Sequence, residues 1–93
     1  MPQPAVKKRA DNCKVKVLNS LLSSYKIVLP AKDPFHFQCV DKNGHKFVRV
    51  EVNSIPEEIR KQLLEFKKEC PDNTFIQVHF FEKHDRKATL INI

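Results

Sequence analysis

Residues 35–68 of the chain are FHFQCVDKNGHKFVRVEVNSIPEEIRKQLLEFKK, and their pattern predicts two strands followed by a helix. Asn43-Gly44 is a strong hairpin signal, because both residue types tolerate positive φ. After it, valine occupies every second position from Val48 to Val52. Since side chains alternate between the two faces of a strand, Glu51 is expected on the face opposite these valines, near the end of the second strand.

The rest of the chain adds one helix and three strands. We expect a helix over 11–24, a strand over 25–29, strands over 35–40 and 46–52, a helix over 54–70, and strands over 74–82 and 88–93. The helix over 54–70 connects two strands as a crossover does, which predicts that strands 46–52 and 74–82 are parallel. The expected fold is a single α/β domain of order α-β-β-β-α-β-β over 11–93, with a mixed central sheet and flanking helices. Residues 1–10 are expected to form a flexible basic tail.

Local signals predict how the helices begin and which residues are buried. Asp11 is a plausible N-cap of the first helix, and Ser54-Ile55-Pro56-Glu57 matches a capping box for the second. Helical spacing predicts a buried stripe on each helix. The stripe residues are Val15, Leu18 and Leu22, widened by Val17 and Leu21, and then Ile59, Leu63, Phe66 and Cys70. The strand phenylalanines, including Phe75, are expected in the core because their neighbours are apolar.

Composition and charge limit the classes of function. The 93 residues carry a net charge of +6, with a sequence pI of about 9.4. This charge favours an anionic partner, and the first candidate is nucleic acid, in particular DNA. No apolar run approaches the roughly 20 residues that a membrane span needs, and the polar N-terminus does not resemble a signal peptide. We therefore expect a soluble cytoplasmic or otherwise intracellular protein with no membrane partner. The three cysteines form no C-x-x-C pair and are expected to be buried thiols.

Basic residues fall into three groups along the chain. They are Lys7, Lys8, Arg9, Lys14 and Lys16; then Arg60, Lys61, Lys67 and Lys68; then Arg86 and Lys87. If the groups share one face of the protein, they form a surface that follows phosphates. The alternative is a solvated charged helix and a charged turn that bind nothing specific.

The element order, together with a hairpin whose second strand ends in Val50-Glu51-Val52, resembles the PD-(D/E)xK nuclease superfamily. Within it, the chain resembles the small archaeal Holliday-junction resolvases. The segment 44–52 resembles their second hairpin strand, and 62–66 and 76–80 resemble the helix and strand that follow. The resemblance covers the chain from about residue 11 onward, and it implies a restriction-endonuclease-like core.

The resemblance also implies candidate site residues. In that superfamily an acid on the first hairpin strand and an E-x-K motif on the second hold Mg²⁺ or Mn²⁺ and activate water. Glu51 holds the glutamate position and Asn53 the lysine position, while the acid position falls near His36, with Asp33 and Asp41 close in sequence. Asparagine cannot supply the positive charge of the lysine.

Three functions remain open from the sequence. The first is a nucleic-acid-binding protein with a nuclease-like fold and a degraded catalytic motif. The second is an active nuclease or junction resolvase that uses Mg²⁺ or Mn²⁺, with Glu51, Asp33 and Asp41 as metal ligands. The third is a small interaction protein that forms a homodimer through the exposed edge of a terminal strand.

Overall fold

The predicted order of helices and strands is confirmed. The structure, a computed structural model, describes residues 5–82 and 86–93, with side chains from Arg9 onward. The elements are α1 (Ala5–Ser24), β1 (Ile27–Pro30), β2 (Phe37–Asp41), β3 (Gly44–Val52), α2 (Glu57–Glu69), β4 (Thr74–Phe81) and β5 (Thr89–Asn92). Together they form one small mixed α/β domain.

The five strands form one mixed sheet in the order β1-β2-β3-β4-β5. All neighbouring strands are antiparallel except β3 and β4, which run parallel in register from His45↔Thr74 to Val52↔Phe81. The predicted parallel pair is therefore confirmed. Because the end of β3 and the start of β4 lie at opposite edges of the sheet, α2 has to connect them across one face. In the strand order, β3 is the central strand.

The two helices cover opposite faces of the sheet. Val48 and Val50 of β3 are buried in one apolar cluster with residues of α1. Phe47, which alternates with them, packs in a second cluster around Leu63 of α2. Since alternate side chains of a strand point to opposite faces, α1 lies on one side of β3 and α2 on the other. The face that carries the odd positions of β3, with Glu51, is the α2 face.

The first helix begins earlier than the sequence predicted. It starts at Ala5, so residues 5–10 are helical, whereas they were assigned to a flexible tail, and Met1–Pro4 lie outside the described residues. Asp11 therefore lies inside the helix and is not its N-cap. Within 5–82 and 86–93, neither helix combines the length and apolar character that crossing a membrane requires.

The buried stripe of α1 also differs from the expected one. Cys13, Val17 and Leu21 are buried against the sheet, while Val15 and Leu22 remain more than half exposed. Residues four apart share a helix face, so both stripes satisfy the periodicity, and only packing on the sheet distinguishes them. Cysteine supplied the missing position of the stripe, because a free buried thiol behaves as a small apolar side chain.

The second helix begins without the predicted capping box. Pro56 is the N-cap residue and has no side-chain cap, and Ser54 instead donates its N–H to the carbonyl of Val52 at 2.9 Å. The N–H of Ser54 is therefore engaged in a turn that precedes the helix, which begins at Glu57. Glu57 and Glu58 occupy the first turn, where negative charge stabilises the positive end of the helix dipole.

The predicted β2–β3 hairpin is confirmed, but the glycine has a second role. Asp41 pairs with Gly44 across the turn, and the N–H of Asn43 donates to Asp41 Oδ1 at 2.8 Å. Gly44 has φ +136°, and a Cβ placed there would lie 1.9 Å from the carbonyl oxygen of Asn73. That oxygen accepts the N–H of His45 at 3.1 Å. The turn before β4 therefore reaches β3 only because residue 44 has no side chain.

Replacement of Gly44 by alanine is expected to lower the free energy of unfolding by at least about 2 kcal/mol, because both the backbone conformation and the approach of Asn73 become strained. Urea denaturation followed by circular dichroism measures the change. Asn43→Ala, in the same exposed turn, is the control and is expected to change stability by less than about 0.5 kcal/mol. An equal effect of both substitutions would contradict the packing role of Gly44.

Candidate functional site

Glu51, the predicted catalytic carboxylate, forms an ion pair inside the protein. Its Oε1 lies 2.7 Å from Nε of Arg49, and the two side chains are only 11% and 17% exposed. Arg49 also donates from Nη1 to the carbonyl of Pro34 at 2.8 Å. The arginine thus neutralises the carboxylate and fixes the loop before β2 to the central strand. A carboxylate held in this way is a structural partner of Arg49.

The other predicted metal ligands do not assemble around Glu51. Asp41 is exposed and pairs with Gly44 at the opposite end of β3, and seven residues of strand correspond to a separation of about 23 Å. Asp33 is exposed in the loop before Pro34. Within residues 5–82 and 86–93, no three His, Cys, Asp or Glu side chains are grouped closely enough to hold a metal ion.

Asn53, in the predicted lysine position, is part of a contact between α1 and the strand ends. It has φ +71°, a left-handed conformation that asparagine tolerates, and its N–H donates to Phe81 at 2.8 Å. Its Oδ1 accepts Nη1 of Arg9 at 3.1 Å, and Nη2 of Arg9 donates to the carbonyl of Glu82 at 2.5 Å. Arg9, predicted to lie in the tail, therefore fastens the start of α1 to the ends of β3 and β4.

His36, near the predicted acid position, is held as a neutral ring. Its Nδ1 accepts the N–H of Val50 at 2.9 Å, so the proton of the neutral ring is on Nε2. The pKa of His36 is lowered to about 4, mainly by burial and also by the positive charges of Arg49 and Lys14, against a smaller opposing effect of Asp33. The ring therefore works as a hydrogen-bond acceptor at neutral pH.

Two of the three groups of basic residues meet on the α1 face of the sheet. Lys16 of α1 lies across a groove from Arg86 and Lys87, which directly precede β5. We call this the cationic groove; it has a volume of about 340 Å³, and Ser20, His79 and Leu90 also line it. The described residues that line the groove include no acidic side chain. The groove therefore concentrates positive charge from segments 70 positions apart.

The remaining basic residues lie elsewhere. Arg60, Lys61 and Lys68 are exposed on α2, on the other side of the sheet, and Lys67 donates to the carbonyl of Thr74 at 2.5 Å. The three predicted groups therefore do not share one face. Lys14 is half-buried on α1, and the side chains of Lys7 and Lys8 lie outside the described residues.

A second pocket on the α1 face was not predicted from the sequence. We call it the aromatic pocket; it has a volume of about 430 Å³ and is lined by Tyr25, Lys46, Phe75 and Asn92, among others. Lys46 Nζ donates to the hydroxyl of Tyr25 at 2.8 Å. Phe75 is 46% exposed, so its assignment to the core was wrong. One signal was present: Lys46 alternates in phase with Val48 and Val50, and a charge on an otherwise apolar strand face needs an explanation.

A chain of side-chain hydrogen bonds joins the two pockets. Gln77 Nε2 donates to Asn92 Oδ1 at 3.1 Å, and Gln77 Oε1 lies 2.9 Å from Nε2 of His79. Since the amide oxygen can only accept, His79 Nε2 carries the proton in this arrangement. Burial, with a smaller contribution from the charge of Lys46, lowers the pKa of His79. The floor between the pockets is therefore polar, neutral and held in place.

Comparisons of the chain with protein-family models, curated proteins and solved structures find no match. Fold and site together define a class only: a small mixed α/β domain with a cationic groove beside an aromatic pocket. The resemblance to PD-(D/E)xK nucleases stays a prediction.

Replacing one member of the Arg49–Glu51 pair is expected to destabilise the protein more than replacing both members. Arg49→Met leaves a nearly buried carboxylate without its partner and is expected to lower the free energy of unfolding by about 3 kcal/mol. The double variant Arg49→Met/Glu51→Leu is expected to recover most of that loss. Urea denaturation of both single variants and the double variant measures the coupling, and Lys32→Met, at an exposed site, is the control. Additive effects would contradict a structural role of the pair.

Protonation of His36 is expected to destabilise the fold in acid. The unfolded chain binds this proton near pKa 6.5 and the folded chain at about 4, so stability falls as the pH is lowered through that window. We expect protonation of His36 to lower the free energy of unfolding by roughly 2 kcal/mol. This is less than the full pKa difference corresponds to, because partial exposure of the ring screens the charge. His36→Asn is expected to flatten this part of the stability profile, whereas His45→Gln, at an exposed histidine, leaves it in place. An imidazole NMR titration that gives His36 a midpoint above 6 would contradict the assignment.

Proposed function

We propose that this protein binds nucleic acid through the cationic groove and does not cleave it. The observation that carries the proposal is the meeting of Lys16, Arg86 and Lys87 in one groove, without an acidic side chain among its described lining residues. The backbone of a nucleic acid is a repeating array of phosphate anions, which such a surface attracts. Binding releases the counterions that had condensed on those phosphates. Binding of this kind is electrostatic and largely independent of sequence.

The charge of the whole chain supports the same proposal. A net charge of +6 produces a long-range field that steers a polyanion toward the protein, and the groove brings three of the positive side chains together. Arg9 and Arg49 are engaged in internal hydrogen bonds, so they contribute less to the outer surface than their number suggests. The cations of the groove are the better candidates for phosphate contact.

The geometry supports an active metal-dependent nuclease less well. That function requires oxygen ligands gathered around one ion, with a site open to water. Glu51 is paired with Arg49, and Asp41 lies at the far end of β3. A nucleic-acid-binding protein that has lost catalysis needs none of these groups to converge. Cleavage of branched DNA in the presence of Mg²⁺ or Mn²⁺, lost in Glu51→Ala, would favour the nuclease instead.

The predicted homodimer remains a separate prediction that concerns the two edges of the sheet. Edge strand β1 ends at Pro30, which has no N–H to offer a further strand, whereas β5 contains no proline. Leu90 of β5 is 54% exposed. The β5 edge is therefore the better place for a second copy. Sedimentation velocity of the free protein and of its complex with DNA reports the stoichiometry directly, and a free protein that stays monomeric at all concentrations rejects the dimer.

Charge reversal in the cationic groove is expected to weaken nucleic-acid binding and its salt dependence together. We expect the triple variant Lys16→Glu/Arg86→Glu/Lys87→Glu to reduce the slope of log Kd against log salt concentration by about 3, because each lost phosphate contact removes roughly one counterion. Fluorescence anisotropy with labelled oligonucleotides over a range of salt concentrations measures both quantities.

The matched control reverses the same amount of charge on the opposite side of the sheet. The variant Arg60→Glu/Lys61→Glu/Lys68→Glu changes three exposed α2 side chains and is expected to reduce affinity much less. Equal losses in the two triple variants would show that only net charge matters. Absence of binding by the native protein at low salt would reject the proposed function.

A further inference from the structure

We infer that the nucleic acid is single-stranded and that its bases enter the aromatic pocket while its phosphates follow the cationic groove. This inference rests on the proposed function and adds the form of the ligand and its path across the protein. The path runs along β4 and β5 on the α1 face, from Lys16 and Arg86 at one end to Phe75 at the other.

The groove and the pocket are neighbours on the same strands of the sheet. Leu90 lines the cationic groove and Asn92 lines the aromatic pocket, and residues two apart on a strand lie on one face about 7 Å from each other. On β4 the same face carries His79, Gln77 and Phe75, over about 13 Å. The hydrogen bonds from Asn92 through Gln77 to His79 form the floor of this path.

The chemistry of the two ends suits the two parts of a nucleotide. Positively charged side chains line the groove, and phosphates are expected to bind there. Aromatic rings line the pocket, and bases are expected to stack on them. Phe75 is 46% exposed, with Lys67 Nζ at 5.7 Å from its ring centroid. Tyr25 is half-buried and holds Lys46 Nζ at its hydroxyl. Each ring thus has a lysine ammonium within about 6 Å of its centroid, which adds positive charge at the pocket.

The shape of the surface favours a single strand over a duplex. A duplex is read by elements that protrude into its grooves, and its base faces are hidden by stacking. Here the site is concave, with α1 as one wall, and its volumes of about 340 and 430 Å³ lie in the range of pockets for small ligands, roughly 300–1,000 Å³. Unstacked bases can enter such pockets. The exposed side-chain amide of Asn92, which lines the pocket, offers hydrogen bonds to base edges that a strand without a partner leaves free.

Substitution of Phe75 tests the inference. We expect the native protein to bind single-stranded oligonucleotides more tightly than a duplex of the same sequence at the same salt concentration. Phe75→Ala is expected to weaken single-strand binding by about 5- to 100-fold with little change in the salt slope, since it removes stacking and no charge. Duplex binding is expected to be unchanged. Leu64→Ala, at an exposed leucine of α2, is the matched control.

A fluorescent variant reports stacking directly. The chain contains no tryptophan, so Phe75→Trp introduces a single reporter that retains an aromatic ring. Its emission is expected to be quenched by a single-stranded oligonucleotide, and that of Leu64→Trp is not. Circular dichroism of each variant verifies that the fold is retained.

The outcomes separate the two proposals. If Phe75→Ala binds like the native protein and the Phe75→Trp emission is unaffected, while reversal of the groove charges still abolishes binding, the single-strand path is wrong and the proposed function stands. A preference for duplex over single strand likewise overturns the inference alone. If neither form binds at low salt, both proposals fail.

Discussion

The parallel pairing of β3 with β4 is the constraint on which the rest of the structure depends. Two strands that run in the same direction cannot be joined by a turn, so the chain between Val52 and Thr74 has to cross one face, and α2 does so. With α2 on that face, α1 has only the other face to cover. The pairing therefore places β3 at the centre of the sheet and makes both of its faces internal. It also determines on which side each residue of β3 lies.

That placement explains why Glu51 is paired with an arginine. A charged side chain on a central strand beneath a helix needs a partner, because burial of an isolated carboxylate is strongly unfavourable. Arg49, two positions earlier and therefore on the same face, is that partner. On the opposite face, toward α1, this part of β3 carries only the valines from Val48 to Val52. Charges that remain available to a ligand, such as those of Lys16 and Arg86, lie in the groove between α1 and the segment before β5.

The sequence predicted what depends on local pattern. The hairpin at Asn43-Gly44, the alternation along β3 and the crossover to β4 all follow from neighbouring residues. The start of α1 did not, because Arg9 is held by Asn53 and Glu82, and such contacts between distant segments leave no local signal. The capping box at Ser54 failed for the opposite reason: its residue types were right, but a turn after Val52 engages Ser54 before the helix begins.

The candidate site was less predictable than the fold. Glu51 and Asp41 are only ten positions apart in sequence, yet an extended strand separates them. Lys16 and Arg86 are 70 positions apart and meet across a groove. Separation in sequence is therefore a poor guide to separation in space: close positions can lie far apart, and distant positions can meet. Phe75 shows the same limit on a smaller scale, since its pattern is that of a core residue, but it is 46% exposed.

The order of the strands in the sheet is also their order along the chain. Each strand from β2 onward is therefore laid beside one that has already been synthesised, and no later strand is inserted between two earlier ones. During translation the N-terminal half can assemble as a three-stranded meander under α1, before the crossover delivers β4 to its exposed side. In the nascent chain, the unpaired edge that awaits the next strand is that of β3 and then that of β4. Until the next segment emerges, that edge can pair with other chains.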